Sequence, residues 1–159
     1  MVALALSISE SLAGVATEGN VADVPGPDAV AYQPISCLAL QELLSHVNSQ
    51  DVFVDLGCGK GRVLWFIATR RRLRKIVGIE IVPELARIAR ENMAKCRLLT
   101  PVTVLEGDAS ETDLGEGTVY FLYNPFGERT LARVLQNIRN SLRTRPRCVR
   151  ILYYDPAHA

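Results

Sequence analysis

The chain has 159 residues, 48% of them hydrophobic and 22% charged, with a formal net charge of +1. That balance fits one globular domain and excludes wholesale disorder and fibrous repeats. No apolar stretch approaches the roughly 18 residues of a membrane span, and a charge near zero gives no global field to attract nucleic acid.

The first 30 residues differ from the rest. Gly14, Gly19, Pro25, Gly26 and Pro27 punctuate them, sustained periodicity is absent, and no Lys or Arg precedes Lys60. They read as a flexible arm or lid (1–30), leaving 31–159 as the folded domain. The apolar start lacks a positive n-region, so no secretory signal is expected. Cys37, Cys58, Cys96 and Cys148 stand far apart, without the clustering that a zinc site or disulfide scaffold needs. Reduced thiols, a cytoplasmic location and no metal follow as expectations.

Ser36 to Val47 reads as a helix capped by Ser36. From Asp51 two signals alternate. Apolar runs at 52–56, 75–81, 101–105, 117–123 and 148–154 predict five strands. Helical stretches begin at Arg62 and at Pro83, where a first turn tolerates proline. Leu131, Val134, Leu135, Ile138 and Leu142 form an i, i+3, i+4, i+7, i+11 stripe for another helix. Strands apolar along their whole length are buried on both faces, and strands alternating with helices argue for an open α/β parallel sheet.

The strongest chemical signal is Asp55-Leu56-Gly57-Cys58-Gly59-Lys60-Gly61, between the first strand and its helix. Gly57 and Gly59 permit a tight turn and a close backbone approach to a ligand. In open α/β sheets ligands bind beyond the carboxyl ends of the strands, where this loop lies. The dinucleotide fingerprint G-x-G-x-x-G fails, because Arg62 stands at the third glycine position. The phosphate loop fails as well, because Gly61 follows Lys60.

Residues 52–61 resemble the first motif of class I S-adenosylmethionine-dependent methyltransferases. The resemblance implies a Rossmann-like sheet of order 3-2-1-4-5 with helices on both faces. It also implies S-adenosyl-L-methionine as cofactor, with Gly57, Cys58, Gly59 and Gly61 under its methionine part and Asp55 orienting its amino group. Glu80, 19 positions beyond Gly61, matches the acid that accepts from two ribose hydroxyls. Asp108 in Glu106-Gly107-Asp108-Ala109 matches the residue that accepts from the adenine amino group, with the Ala109 N–H facing a ring nitrogen. Tyr123-Asn124-Pro125-Phe126-Gly127 resembles the N/D-P-P-Y/F motif of nitrogen methyltransferases with one proline missing. It implies that Asn124 and the Pro125 carbonyl hold a target amine against the Phe126 ring. Ala31-Tyr32-Gln33-Pro34 is similar to a segment that disruptor-of-telomeric-silencing type lysine methyltransferases place over the cofactor, which makes Tyr32 a lid residue. Bacterial-type methyltransferases resemble the chain equally well.

The reading is methyl transfer by in-line displacement, to a nitrogen acceptor that is a protein, a nucleic acid or a small molecule. A truncated or non-catalytic S-adenosylmethionine-binding protein and an NAD-dependent oxidoreductase are the alternatives. The clusters Arg70 to Lys75 and Arg139 to Arg150 read as solvated surface. The family's sheet usually has seven strands and only five fit here. A sheet without the hairpin of strands 6 and 7 is therefore expected, with an exposed fifth strand that forms a homodimer or marks a truncated enzyme.

Overall fold

The five apolar runs pair side by side because each is rich in β-branched and aromatic residues and ends at a turn signal. The computed structural model describes residues 9–19 and 32–155. Strands β1 (Val52–Leu56), β2 (Lys75–Glu80), β3 (Val102–Glu106), β4 (Val119–Tyr123) and β5 (Arg150–Tyr154) form one sheet of order β3-β2-β1-β4-β5. Every pairing is parallel. This is the order expected from the sequence.

The helices that accompany the sheet are α1 (Cys37–Leu43), α2 (Arg62–Arg70), α3 (Pro83–Ala94) and α4 (Glu128–Thr144), and residues 9–12 are helical as well. The first is shorter than its sequence pattern, because Leu44–His46 tightens into a 3-10 turn. Its cap is the one expected: Ser36 Oγ accepts from the Ala39 N–H at 3.3 Å. Pro83 opens α3 at a position whose N–H has no partner in a helix.

Side chains alternate across each strand, so the sheet has two cores. On one face Phe53, Ile76, Val119 and Phe121 pack with Leu40 and Leu43 of α1, Leu64 and Ile67 of α2, and Ala89 of α3. On the other Val54, Leu56, Ile79, Tyr120 and Leu122 pack with Leu131, Val134 and Ile138 of α4. Leu135 of the expected stripe lies at its margin, partly exposed.

The apolar runs do not translate into equal burial. β1 is buried throughout, and β2 and β4 are buried except at one end. β3 and β5 are largely open, because among the described residues each has a neighbour on one side only. The N-terminal end of β5 is anchored by Arg150, which donates to Asp51 Oδ1 at 2.6 Å and to the His46 carbonyl at 2.8 Å.

The chain winds from β1 through α2, β2 and α3 to β3, then returns to the other side of β1 as β4. That reversal opens a crevice beyond the carboxyl ends of β1 and β4, the place where such sheets bind ligands.

Candidate active site

The β1–α2 loop is shaped by its backbone. Gly57, Gly59 and Gly61 have φ of +80°, +54° and +81°, a region side-chain-bearing residues rarely adopt. The N–H groups of Gly57 and Cys58 both donate to the Ile79 carbonyl, at 2.9 and 3.0 Å. A Cβ on Gly57 would run into Pro125, and one on Gly59 into the Tyr32 ring. The two glycines therefore bring the loop against two other candidate residues.

Two acids meet at this loop. Glu80 ends β2 and is 6% exposed. Its Oε2 accepts from the Gly59 N–H at 2.7 Å and its Oε1 from the Val82 N–H at 2.9 Å. Each oxygen keeps a further lone pair for a ligand hydroxyl. Asp55, next to last in β1, is 3% exposed, and its Oδ2 has no hydrogen-bond partner. Burial, helped by the Glu80 charge, pushes its carboxyl up to about 8. Burial also raises Glu80, against the pull of its backbone donors. Cys58 is buried, and burial together with both acids holds its thiol well above the usual range. A thiol kept protonated is no nucleophile, so Cys58 serves the loop by its backbone and its packing.

The β3 loop is tied to the same corner by the Gly107 N–H, which donates to the Glu80 carbonyl at 2.9 Å. Asp108 Oδ1 accepts from the Ser110 N–H at 2.7 Å, an Asx turn that fixes the side chain. Ala109 is buried beside it, and the Ser110 hydroxyl is buried without a partner. Asn137 of α4 braces the turn by donating to the Ser110 carbonyl at 2.8 Å.

The β4 loop completes the crevice. Asn124 adopts φ +45°, a left-handed conformation that asparagine tolerates better than most residues. Phe126 packs into the α4-side core with Leu131 and is 8% exposed. Tyr153 of β5 donates its hydroxyl to Asn124 Oδ1 at 3.4 Å. The rings of Tyr123 and Tyr154 meet edge-on at 5.5 Å. These β5 tyrosines were not singled out from the sequence, where they read only as the apolar end of a strand. Their signal was positional: a strand added beside β4 must end beside the β4 loop.

Tyr32 lies over Gly59, with its hydroxyl donating to the Thr17 carbonyl at 2.6 Å and Lys60 Nζ 5.3 Å from its ring centre. Close contacts tie most of the sequence-derived residues to one corner: Glu80 binds the glycine loop and the β3 loop, Pro125 meets Gly57, and Tyr32 lies over Gly59. Phe126, expected as a wall for the acceptor, instead packs into the core beneath α4. Among the described residues no group of three or more His, Cys, Asp or Glu could hold a metal ion, and no helix is long and apolar enough to cross a membrane. The basic clusters lie away from the crevice. Arg70 stacks on Phe66 and Trp65 at the end of α2, and Arg147 donates to the Gly117 and Leu114 carbonyls.

Comparison with known proteins agrees with this geometry. The family described as "Methyltransferase domain" matches residues 53–145. A protein-lysine N-methyltransferase of Saccharolobus islandicus is 30% identical over 104 residues, 65% of this chain and 60% of that protein. A probable cobalt-precorrin-6B C(15)-methyltransferase (decarboxylating) of Methanothermobacter thermautotrophicus is 36% identical over 88 residues, 55% of this chain and 42% of that protein. The chain thus spans 60% or less of the length of these curated relatives. Among solved structures, an RNA methyltransferase of Salinibacter ruber in complex with S-adenosyl-L-homocysteine superposes with a TM-score of 0.57 at 30% identity, covering 71% of both chains. With the match over more than half its length, the chain belongs to the class I S-adenosylmethionine-dependent methyltransferase family.

Proposed function

We propose that the chain binds S-adenosyl-L-methionine in the crevice beyond β1, β2 and β3 and transfers its methyl group to a nitrogen acceptor held at the β4 loop. The single observation that carries the cofactor reading is Asp55: a nearly inaccessible carboxylate with one oxygen unpartnered, beside the glycine loop and Glu80. A buried, unpaired acid is costly unless a ligand completes it. The cationic amino group of the cofactor's methionine part is such a ligand, so the residues present fit the group.

When bound, S-adenosylmethionine supplies a methyl group already activated by its sulfonium charge. What remains for the protein is placement. Asp55 takes the amino group, and the lone pairs left on Glu80 take the ribose hydroxyls. Asp108, fixed by its Asx turn, and the Ala109 N–H take the adenine edge. Asn124 Oδ1 and the Pro125 carbonyl accept from the target amine and aim its lone pair. Loss of the amine proton needs no resident base if the acceptor arrives neutral. The lysine-modifying activity named for the Saccharolobus relative supports nitrogen as the acceptor atom. So does an oxygen acceptor pair at Asn124 and Pro125.

The free thiols of Cys58, Cys96 and Cys148 suit a reducing, cytoplasmic setting. The outer edge of β5 is where a homodimer would form, and light scattering on the purified chain measures it.

Calorimetry with S-adenosylhomocysteine and with NAD tests the cofactor. Binding of the first and not the second is expected, and the reverse overturns the reading in favour of an oxidoreductase. Transfer of tritiated methyl to components of a cell lysate tests catalysis. Cofactor binding without transfer to any component would leave the chain a non-catalytic binding protein.

A further inference from the structure

Arg62 is the first residue of α2, and its side chain is nearly inaccessible. A guanidinium there meets the positive end of the helix dipole as well as the loss of water. Such a charge needs anions. Among the described residues its ion-pair partners both come from the segment 9–19. Glu18 Oε1 lies 2.6 Å from Nη1, and Glu10 Oε1 lies 3.3 Å from Nε, close but off hydrogen-bond alignment. Glu10 Oε1 also accepts from the Thr17 hydroxyl at 2.6 Å, which folds the segment back on itself.

Two further contacts hold the same segment down. Asn92 of α3 is fully buried, and its amide works like a strand partner. Its Oδ1 accepts from the Ala16 N–H at 3.0 Å, and its Nδ2 donates to the carbonyls of Ala16 at 3.2 Å and Lys60 at 2.9 Å. Lys60 Nζ donates to the Glu18 and Gly19 carbonyls at 2.6 and 3.2 Å. The far end of this chain of contacts is the Thr17 carbonyl, which accepts the Tyr32 hydroxyl. Tyr32 in turn covers Gly59, whose N–H is bound by Glu80.

We propose that Arg62 is a positioning residue for the cofactor: it anchors residues 9–19 as a strap whose Thr17 carbonyl holds the Tyr32 ring across the glycine loop. The proposal rests on the cofactor reading above and goes beyond it. It assigns a role to the residue that excluded the dinucleotide fingerprint, and to acids that belong to no cofactor motif. Arg62 touches neither cofactor nor acceptor. It acts through Glu10, Glu18 and Thr17, so its loss should weaken cofactor retention and leave the methyl-transfer step alone.

The test is a double-mutant cycle on the full chain with Arg62→Gln and Tyr32→Phe, which removes only the hydroxyl. The Kd for S-adenosylhomocysteine and the kcat and KM for S-adenosylmethionine are measured in each. Arg62→Gln is expected to raise the Kd and the KM about tenfold, with kcat at saturating cofactor within about twofold of the parent. Tyr32→Phe should raise them less, and the double variant no more than Arg62→Gln alone, because both act on one strap. Arg62→Lys should recover part of the loss. Independent multiplication of the two effects, or a fall in kcat with unchanged KM, overturns the proposal. If Arg62→Gln fails to fold, Glu18→Gln takes its place in the cycle, since that side chain is largely exposed. If the parent binds no S-adenosylhomocysteine, the cofactor reading has failed. Hydrogen exchange then decides on the strap by itself: faster exchange at residues 9–19 in Arg62→Lys or Glu18→Gln supports it, and unchanged exchange there overturns it.

Discussion

The carboxylate of Glu80 accepts the backbone N–H of Gly59 across 2.7 Å, so the acid that ends β2 also clamps the loop that follows β1. Its second oxygen accepts the Val82 N–H at the entry to α3. A Gln at position 80 could satisfy only one of these donors and would aim its own N–H₂ at the other. Glu80→Gln is therefore expected to destabilise the fold by about 1–3 kcal/mol, the range for a buried donor left unpaired. It should also weaken S-adenosylhomocysteine binding. Urea denaturation and calorimetry measure the two effects, and a variant as stable as the parent would show that the clamp contributes nothing.

Asp55 gives the free protein a pH signature. Its folded carboxyl titrates at about 8, mainly through burial, whereas an unfolded aspartate titrates near about 4. Between those values the folded state keeps a proton that the unfolded chain has lost. Stability should therefore fall as pH rises from about 4 to about 8, then level off. Glu80, raised by burial, adds in the same direction. Asp51 does not share this window. Hydrogen bonds from Arg150, the Asn48 N–H and Thr118 hold it low against its burial, so its contribution is lost only in stronger acid. Asp55→Asn should flatten much of the slope in denaturation midpoints measured from pH 5 to pH 8. An unchanged slope would place its origin elsewhere.

The same proton opposes a cationic ligand. Below about pH 8 the amino group of S-adenosylhomocysteine must displace it, so affinity should climb as pH rises from 6 to 8. Calorimetry in buffers of different ionisation enthalpy would register proton release on binding. Asp55→Asn should bind more weakly and without that pH dependence.

On the proposed reading Asn124 acts on the acceptor alone. Asn124→Ala should lower turnover tenfold or more while the Kd for S-adenosylhomocysteine stays within about twofold. The left-handed backbone at this position adds roughly 1 kcal/mol of strain for alanine, so Asn124→Gly serves as the control free of strain. Tyr153→Phe, which removes only the hydroxyl on Asn124 Oδ1, should reproduce a smaller part of the loss. Equal loss of cofactor affinity and turnover would remove Asn124 from the acceptor side.

Much of the fold was legible because the signals were local. The run 52–56 coincides with β1, Pro83 marked the start of α3, and the α4 stripe met the core at Leu131, Val134 and Ile138. The glycine loop was legible because its conformation requires glycine at three positions. What escaped depends on contacts far apart in the chain. Arg62 looked like a missing glycine, because nothing local says that Glu10, 52 positions earlier, neutralises it. Asn92 sat on the inward face of a helical pattern, where only the backbones of Ala16 and Lys60 explain a fully buried amide. The fifth strand was expected as an open edge and is one, whereas the openness of β3 was not singled out, since an apolar run does not say whether its strand has one neighbour or two.

The contact of Gly57 with Pro125 divides the sheet along its width. On the proposed reading, cofactor groups hang from β1, β2 and β3, and acceptor groups from β4 and β5, where Leu122 pairs with Tyr153 and Tyr123 with Tyr154. The two halves pair along β1 and β4, and just beyond that ladder they meet again at a glycine that has no room for a side chain. If that reading holds, substitutions at positions 124, 153 and 154 should change acceptor preference and leave the ligand half undisturbed. Position 57 works as the joint between them: one methyl group there should shift both functions together, as no change confined to either half would.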